Sequence, residues 1–468
     1  MASPVAVLLL LLAFSYIVYQ LFLHPLAQIP GPRLAAFTNL WKVYHIYSTQ
    51  LHEVLLELHK VHGPVIRIGP NDVHNLFGTQ DDDLHALRRR QLAHGFSQKS
   101  IVAMEDILDE RLTVLCDRIT MFAETGQPFD LKDCISRYVL DILGEAAFSC
   151  SFNAQIPGAG EFEQVPKAIN GHVLMGSIIG ELPFQSLNKR LLAGSPFKWM
   201  REIVSNRILL RNTCAECVQA RLDGGSNKDR KDLLQSLIKA KDPETGASLT
   251  TIDINTEAFA MLVAGSHTTA GTLGLFFAHS LRDPQIMARL VSELESKLDP
   301  LDQSTGRQTH AITGLEDSLP YLMACVRENF RMTPVFTMPL WPRVTASEGL
   351  AVWNTVIPSN TNVSASNFVQ HHDASVWGAD HAKFDPDRWL DGRTEGLSAA
   401  LIPFSLGHRM CIGRNLAMTN ILKTISTLLT RFEITMMKDA KKESVRFESY
   451  GIGELQGTLM CTARFRNI

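Results

Sequence analysis

One cysteine in this chain stands where it could do chemistry. In "PFSLGHRMCIGRNLA", residues 403–417, Cys411 ends a glycine-flanked loop, and the apolar spacing after it predicts a helix from about Arg414. A thiol at a helix N-terminus beside a cation such as Arg409 is drawn toward thiolate. A thiolate can be the axial ligand of heme iron. Gly407 and Gly413 would let the backbone approach a flat cofactor closely. Arg409 has the planar fork that pairs with a carboxylate. Taken alone, the same cysteine reads as a buried thiol in a loop.

A second stretch breaks its own pattern. "MLVAGSHTTAGTLG", Met261 to Gly274, lies inside a long apolar helical run, yet it carries three glycines, a histidine and adjacent threonines. Each interior glycine costs about 1 kcal/mol relative to alanine. Such a run either fits a tight helix crossing or lines something that approaches the backbone. Elsewhere, "ENFR" sets Glu328 and Arg331 one helical turn apart. "FDPDRW" holds Arg388, "HALRRR" holds His85 and Arg88 to Arg90, and "LWPRV" holds Arg343.

The spacing of Phe404, Gly407, Arg409, Cys411 and Gly413, with the other stretches in this order, resembles the cytochrome P-450 family over almost the whole chain. The resemblance implies heme b with Cys411 as axial ligand. It implies Arg409, Arg89, His85 and Arg343 as propionate partners, with a solvated face for at least one of Arg88 and Arg90. Glu328, Arg331 and Arg388 would form a buried structural ion network. In the "AGSHTT" segment, Gly265 would open room above the iron and Thr268 would hydrogen-bond dioxygen. His267 stands where the family usually has a carboxylate that relays protons. An imidazole can relay them too, or it can simply be packed.

The resemblance further implies a monooxygenase fed by NADPH-cytochrome P-450 reductase, which hydroxylates or epoxidises a small apolar substrate. Motif style is similar to that of fungal members, many of which serve secondary metabolism. Two departures keep alternatives open. One is His267. The other is the interval between Val73 and His85, where only "HNLFGTQDDDL" intervenes, far less than the family's usual helix and pocket-covering loop. A catalytically impaired heme-binding protein of the same fold, or a rearrangement or dehydration enzyme, would also fit these.

The elements that must position these residues read as mostly α with a minor β part, a single large helical domain with small sheets. The expected long helix runs from about Asp253 to Leu281, closed by Asp283-Pro284, with others over about 284–298, 318–331 and 414–431. A β element is expected over 62–73 and β-like structure over 339–363. Loops are expected at 157–160 and 224–229. The "CAEC" pair, Cys214 and Cys217, falls in a helical pattern and is weak evidence for zinc.

Residues 5–23 carry no charge and are long enough to span a bilayer. They read as a transmembrane signal anchor, followed by a Pro-rich connector over 24–33 and a catalytic domain over 34–468. Arg33 and Lys42 follow the span and no Lys or Arg precedes it, which places the bulk on the cytosolic side of a membrane such as the endoplasmic reticulum. Eight scattered cysteines in a chain of 468 do not form a disulfide framework, in keeping with a reducing compartment. A net charge of -3 gives no electrostatic case for nucleic acid.

Overall fold

Helix ends fall where the sequence supplies caps. The central helix, Thr251–Ser280, starts with a reciprocal capping box in which Thr250 and Asp253 satisfy each other's backbone N–H. The next helix, Pro284–Lys297, starts at Asp283, whose carboxylate accepts from Gln285 and Ile286 N–H. Proline at the first helical position opens Pro320–Met332 in the same way. Arg414–Arg431, the cysteine helix, begins directly after the Cys411 loop. The computed structural model describes residues 3–70, 82–158, 165–182, 194–224, 230–242, 244–301, 308–338, 342–437 and 445–466.

The core forms where these helices meet. Helix Leu131–Phe148 is buried along nearly its whole length between the central helix and its neighbours. It is tied to the cysteine helix by Tyr138, whose hydroxyl donates to Asn420 Oδ1 at 2.8 Å and lies 2.9 Å from Thr424 Oγ1. The cysteine helix is buried from Met418 to Thr430.

The β part is small. Strands β1 (Phe129–Asp130), β4 (Phe432–Met436) and β7 (Met460–Phe465) form an antiparallel sheet in the order β1-β7-β4. Hairpin β2–β3 (Leu350–Val352 and Thr355–Ile357) pairs Leu350 with Ile357. Hairpin β5–β6 (Phe447–Ser449 and Gly453–Leu455) pairs Glu448 with Glu454. The hairpin over 350–357 falls inside the β-like segment expected at 339–363, of which 339–341 lie outside the described residues.

The β element expected over 62–73 does not form a strand across 63–70. Its backbone docks onto the connector through the bond from Arg67 N–H to Pro30 O at 2.7 Å. Ile66 and Ile68 instead pack on the cluster of Ile46, Leu51 and Leu55, while between them the buried Arg67 guanidinium bonds Gln20 O at 2.8 Å, Gln20 Oε1 at 2.6 Å and Ala36 O at 3.0 Å. Gly31 makes this approach possible, since a Cβ there would lie 2.1 Å from Arg67 O. Residues 71–81, most of the short Val73–His85 interval, lie outside the described residues, as do 159–160 and 225–229 of the expected loops.

At the N-terminus, α-helix Pro4–Val18 passes into a π-helical turn, Tyr19–Leu23. Together they make a 20-residue apolar helix, almost wholly exposed and long enough to cross a membrane.

Candidate active site

The cysteine loop is shaped by its own backbone. Gly407 takes φ 75°, a left-handed value that disfavours any side chain, and Met410 N–H closes onto Gly407 O at 3.1 Å. Cys411 N–H then reaches back to Phe404 O at 2.9 Å. The Phe404 ring packs edge-on against Phe330 of helix Pro320–Met332, 5.3 Å between centroids. Gly413 has an ordinary φ of -81°, and a Cβ there would meet Cys411 Sγ at 3.8 Å, an ordinary van der Waals contact.

Cys411 keeps an exposed face, yet its sulfur is packed deeply enough for desolvation to push the thiol up. The N–H groups of Gly413 and Arg414 and the charge of Arg89 act in the opposite direction. These donors would stabilise a thiolate, or a metal-bound sulfur, far better than a neutral thiol. This donor set fits a heme iron held through sulfur.

Behind the loop, Glu328 accepts from Arg331 Nε at 2.9 Å and Nη2 at 2.7 Å, from Arg388 Nε at 3.0 Å and from Trp389 Nε1 at 2.9 Å. Asp385 N–H adds a fifth bond at 3.0 Å. Glu328 and Arg331 have no exposed surface. His371 carries this cluster to the loop. Its Nδ1–H donates to Phe330 O at 3.1 Å and its Nε2 accepts from Ile402 N–H at 2.9 Å, which fixes the neutral tautomer. Burial pushes the His371 imidazole down to about 3.

Helix Asp82–Ala93 brings His85 and Arg89 to the rim of the loop on one face. Arg89 donates to Met410 O at 2.7 Å. Burial, then the charges of Arg409 and Arg89, lower the His85 imidazole. Arg409 bonds Asp82 at 2.6 Å, and holds that carboxyl below its usual range. Arg343 is exposed, its backbone bridging to Asn362, and among the described residues no side-chain contact joins it to this group.

Of Arg88 and Arg90, Arg90 is exposed, in keeping with the solvated face expected for at least one of them, and Arg88 is half-buried. Arg88 pairs with Asp253 on the central helix at 2.6 Å, and Arg90 reaches Asp242 and Glu244 at 3.3 Å each. The three consecutive arginines thus splay to three different segments.

On the central helix, Ala264 is exposed and Thr268 half-buried, breaking an otherwise buried stretch. Thr268 Oγ1 donates to Ala264 O at 2.5 Å. The glycines do something other than expected. A Cβ on Gly265 would meet both Leu143 methyl carbons at 3.1 Å, and one on Gly271 would come 2.8 Å from Gly453 O. Gly265 therefore serves a helix crossing, and the open backbone belongs to Ala264. His267 is also set apart. Consecutive helical residues point about 100° apart, and His267 is buried in a cavity with Lys132, Asn170 and Glu454, which Ala264 and Thr268 do not line.

The family model for cytochrome P450 matches residues 69–460. The chain belongs to the cytochrome P450 family. Among its relatives, the cytochrome P450 monooxygenase poxM of Penicillium oxalicum is 28% identical, over 90% of this chain and 86% of that protein. The conidiogenone synthase PchP450 of Penicillium rubens is 26% identical, over 93% of each chain. The cytochrome P450 monooxygenase cicH of Emericella nidulans is 26% identical, over 89% and 90%. A crystal structure of a cytochrome P450 (CYP102L1) superposes with a TM-score of 0.66 at 19% identity, covering 83% of this chain and 80% of the other. That superposition speaks to the fold, which is the P450 fold.

This P450 also uses residues that spacing could not flag. His371 sits in "VQHHD", where nothing marks which histidine turns inward. Glu454, far from His267 in sequence, is brought to it only by the β5–β6 hairpin.

Proposed function

We propose that this P450 is a heme-thiolate monooxygenase with Cys411 as the axial ligand, acting on a small apolar substrate in a secondary-metabolite pathway. The observation that carries this reading is the setting of Cys411 Sγ, under the N–H groups of Gly413 and Arg414 at the start of the cysteine helix. Bound there, the heme would supply the oxygen chemistry. The protein's part is to hold and tune it. Arg89, Arg409 and His85 on the rim would take the propionates, with Arg409 exchanging Asp82 for one of them, and Arg343 would complete the set. Phe404 and Gly407 would keep the loop rigid beneath the ring.

On the side of the central helix left open at Ala264, Thr268 would offer its hydroxyl as a hydrogen-bond donor to that oxygen chemistry, turning from Ala264 O to do so. His267 would serve the proton supply to this face. Electrons would come from an NADPH-dependent reductase. The apolar helix Pro4–Leu23 would retain the protein in the endoplasmic reticulum membrane with the catalytic part in the cytosol.

The test is the difference spectrum of the reduced, carbon-monoxide-treated protein. A thiolate-type Soret band is expected in the unsubstituted chain and its loss in Cys411→Ala. An unchanged band in Cys411→Ala overturns the assignment. Product formation that needs no NADPH would point instead to a rearrangement or dehydration.

A further inference from the structure

The surroundings of His267, in the "AGSHTT" segment, could not be read from the sequence. His267 is 7% exposed, and among the described residues neither Nδ1 nor Nε2 has a hydrogen-bond partner. An imidazole buried this deeply without partners is expensive unless water or an ion meets it. It faces a cavity of about 70 Å³ whose polar lining includes Lys132, Ser136, Asn170, Ser266 and Glu454. That volume holds a few waters, and the lining offers each several partners.

The charged and polar groups around this cavity come from several elements. Glu454 Oε2 on β6 lies 3.7 Å from His267 Nε2, beyond direct hydrogen bonding and within reach of one bridging water. The same oxygen is 3.2 Å from Lys132 Nζ on helix Leu131–Phe148. Asn170 of helix Val165–Glu181 donates to Glu454 Oε1 at 3.4 Å. Glu448 on β5 and Tyr450 beyond it complete the set. Burial and then the neighbouring Glu454 charge push the Glu448 carboxyl up, and burial and then Glu448 and Glu454 push the Tyr450 phenol up. Burial alone would raise the Glu454 carboxyl as well, but His267 and Lys132 outweigh it and hold the group below its usual range.

Glu454 reaches this position because two glycines meet. Gly271 brings the central helix against Gly453 O, and Gly453 N–H donates to Val335 O, so that the next residue of the hairpin points at His267. The central helix carries no carboxylate in the "AGSHTT" segment, and the hairpin delivers one from the side.

We propose that Glu454 is a positioning residue for proton supply, holding His267 through cavity water and linking it to solvent. A proton enters from water at the cavity rim, where the Glu454 and Lys132 side chains are partly exposed. It passes to one imidazole nitrogen while the other releases a proton to water on the Ala264–Thr268 side. The imidazole ends neutral as the opposite tautomer, which a turn of the ring or proton exchange with cavity water resets, and Lys132 keeps its charge. The proposal rests on the monooxygenase reading, so the thiolate-type Soret band is recorded first for every variant. Its absence from the unsubstituted chain overturns both, whereas a normal band with unchanged coupling overturns this one alone.

The experiment compares Glu454→Gln, Glu454→Asp, His267→Gln and the double variant as full-length holoenzymes, measuring peroxide released per NADPH consumed with a turned-over substrate. Glu454→Gln is expected to raise the ratio several-fold and to enlarge the solvent isotope effect on product formation. Glu454→Asp should recover part of the loss. The double variant should match the worse single variant, because the residues act in series. A crystal structure should show ordered water between His267 and Glu454, and its loss in Glu454→Gln. Unchanged coupling in Glu454→Gln, or effects that add in the double variant, overturns the proposal. A purely structural pair would lower the melting temperature and leave the ratio where it was.

Discussion

At the residue scale, Glu328 shows how much of the site depends on a group remote from the chemistry. It is fully buried and compensates two guanidinium groups, those of Arg331 and Arg388. Glu328→Gln keeps the shape and removes the charge, leaving buried Arg331 without the carboxylate that neutralises it and Arg388 with Asp380 alone, 3.4 Å away. The expected loss is about 3–5 kcal/mol, read as a lowered denaturation midpoint together with reduced heme content, because His371 passes the disorder on to Ile402. The buried histidines set the acid limit of the fold. Burial pushes His52, His172 and His372 down to about 4, and His279 and His371 to about 3. In the unfolded chain each would titrate at 6.5. The unfolded state therefore binds more protons below that value, and stability rises with pH through this window. It is fully present above about pH 6.5 and is lost as the pH falls toward 4. Thermal melts across that range should show a steady decline, and a flat profile would contradict the neutral, buried assignment.

At the element scale, glycines of one helix divide by what faces them. Gly265 faces the methyl ends of Leu143, which can turn aside, whereas Gly271 faces the backbone oxygen of Gly453, which cannot. Both substitutions to alanine gain the same helix propensity, about 1 kcal/mol. Gly265→Ala should accordingly be near neutral in thermal stability. Gly271→Ala should be clearly destabilising and should displace the hairpin that carries Glu454; equal effects would refute the packing described. This division also marks what the sequence could and could not tell. Helix limits were legible, since Asp283-Pro284 and Gly413 punctuate the chain, and the cysteine helix runs over the expected 414–431. Which helix face meets which neighbour is decided by long-range packing, so the glycines read as room for a ligand when they are crossings. Strand β4 was legible in principle, as Phe432, Ile434 and Met436 alternate with exposed Glu433 and Thr435, but it follows the helix without a turn to announce it. The alternation misled because over 63–70 it packs Ile66 and Ile68 on the Ile46, Leu51 and Leu55 cluster without forming a ladder. In the site, local pairs such as Glu328 and Arg331 were legible at helical spacing. The Glu454 partner of His267 was not, having no spacing to read.

At the scale of the whole molecule, the apolar N-terminal helix is joined to the body by more than a tether. The π-helical turn at its end carries Gln20, which is buried and gives both its backbone carbonyl and its side-chain oxygen to the Arg67 guanidinium. Arg67 in turn holds the connector, through Ala36 O on one side and Pro30 O, which accepts from its own N–H, on the other. Removing the apolar helix is therefore two operations with separable results. A chain beginning at residue 19 loses the exposed stretch over 4–18 and keeps Gln20. A chain beginning at residue 24 loses Gln20 as well, and leaves a buried guanidinium short of two acceptors. Hydrogen bonds to a charged group are worth about 1.5–3 kcal/mol each, and rearrangement or entering water can recover part of that. Both truncations should reduce flotation with phospholipid vesicles to the same extent, because neither retains a span. The longer truncation should melt at a lower temperature than the shorter. Restoring the deficit by Arg67→Met in the longer truncation, where no cation remains to be satisfied, should recover part of the difference. Equal melting temperatures for the two truncations would mean that Gln20 closes the Arg67 cluster without stabilising it.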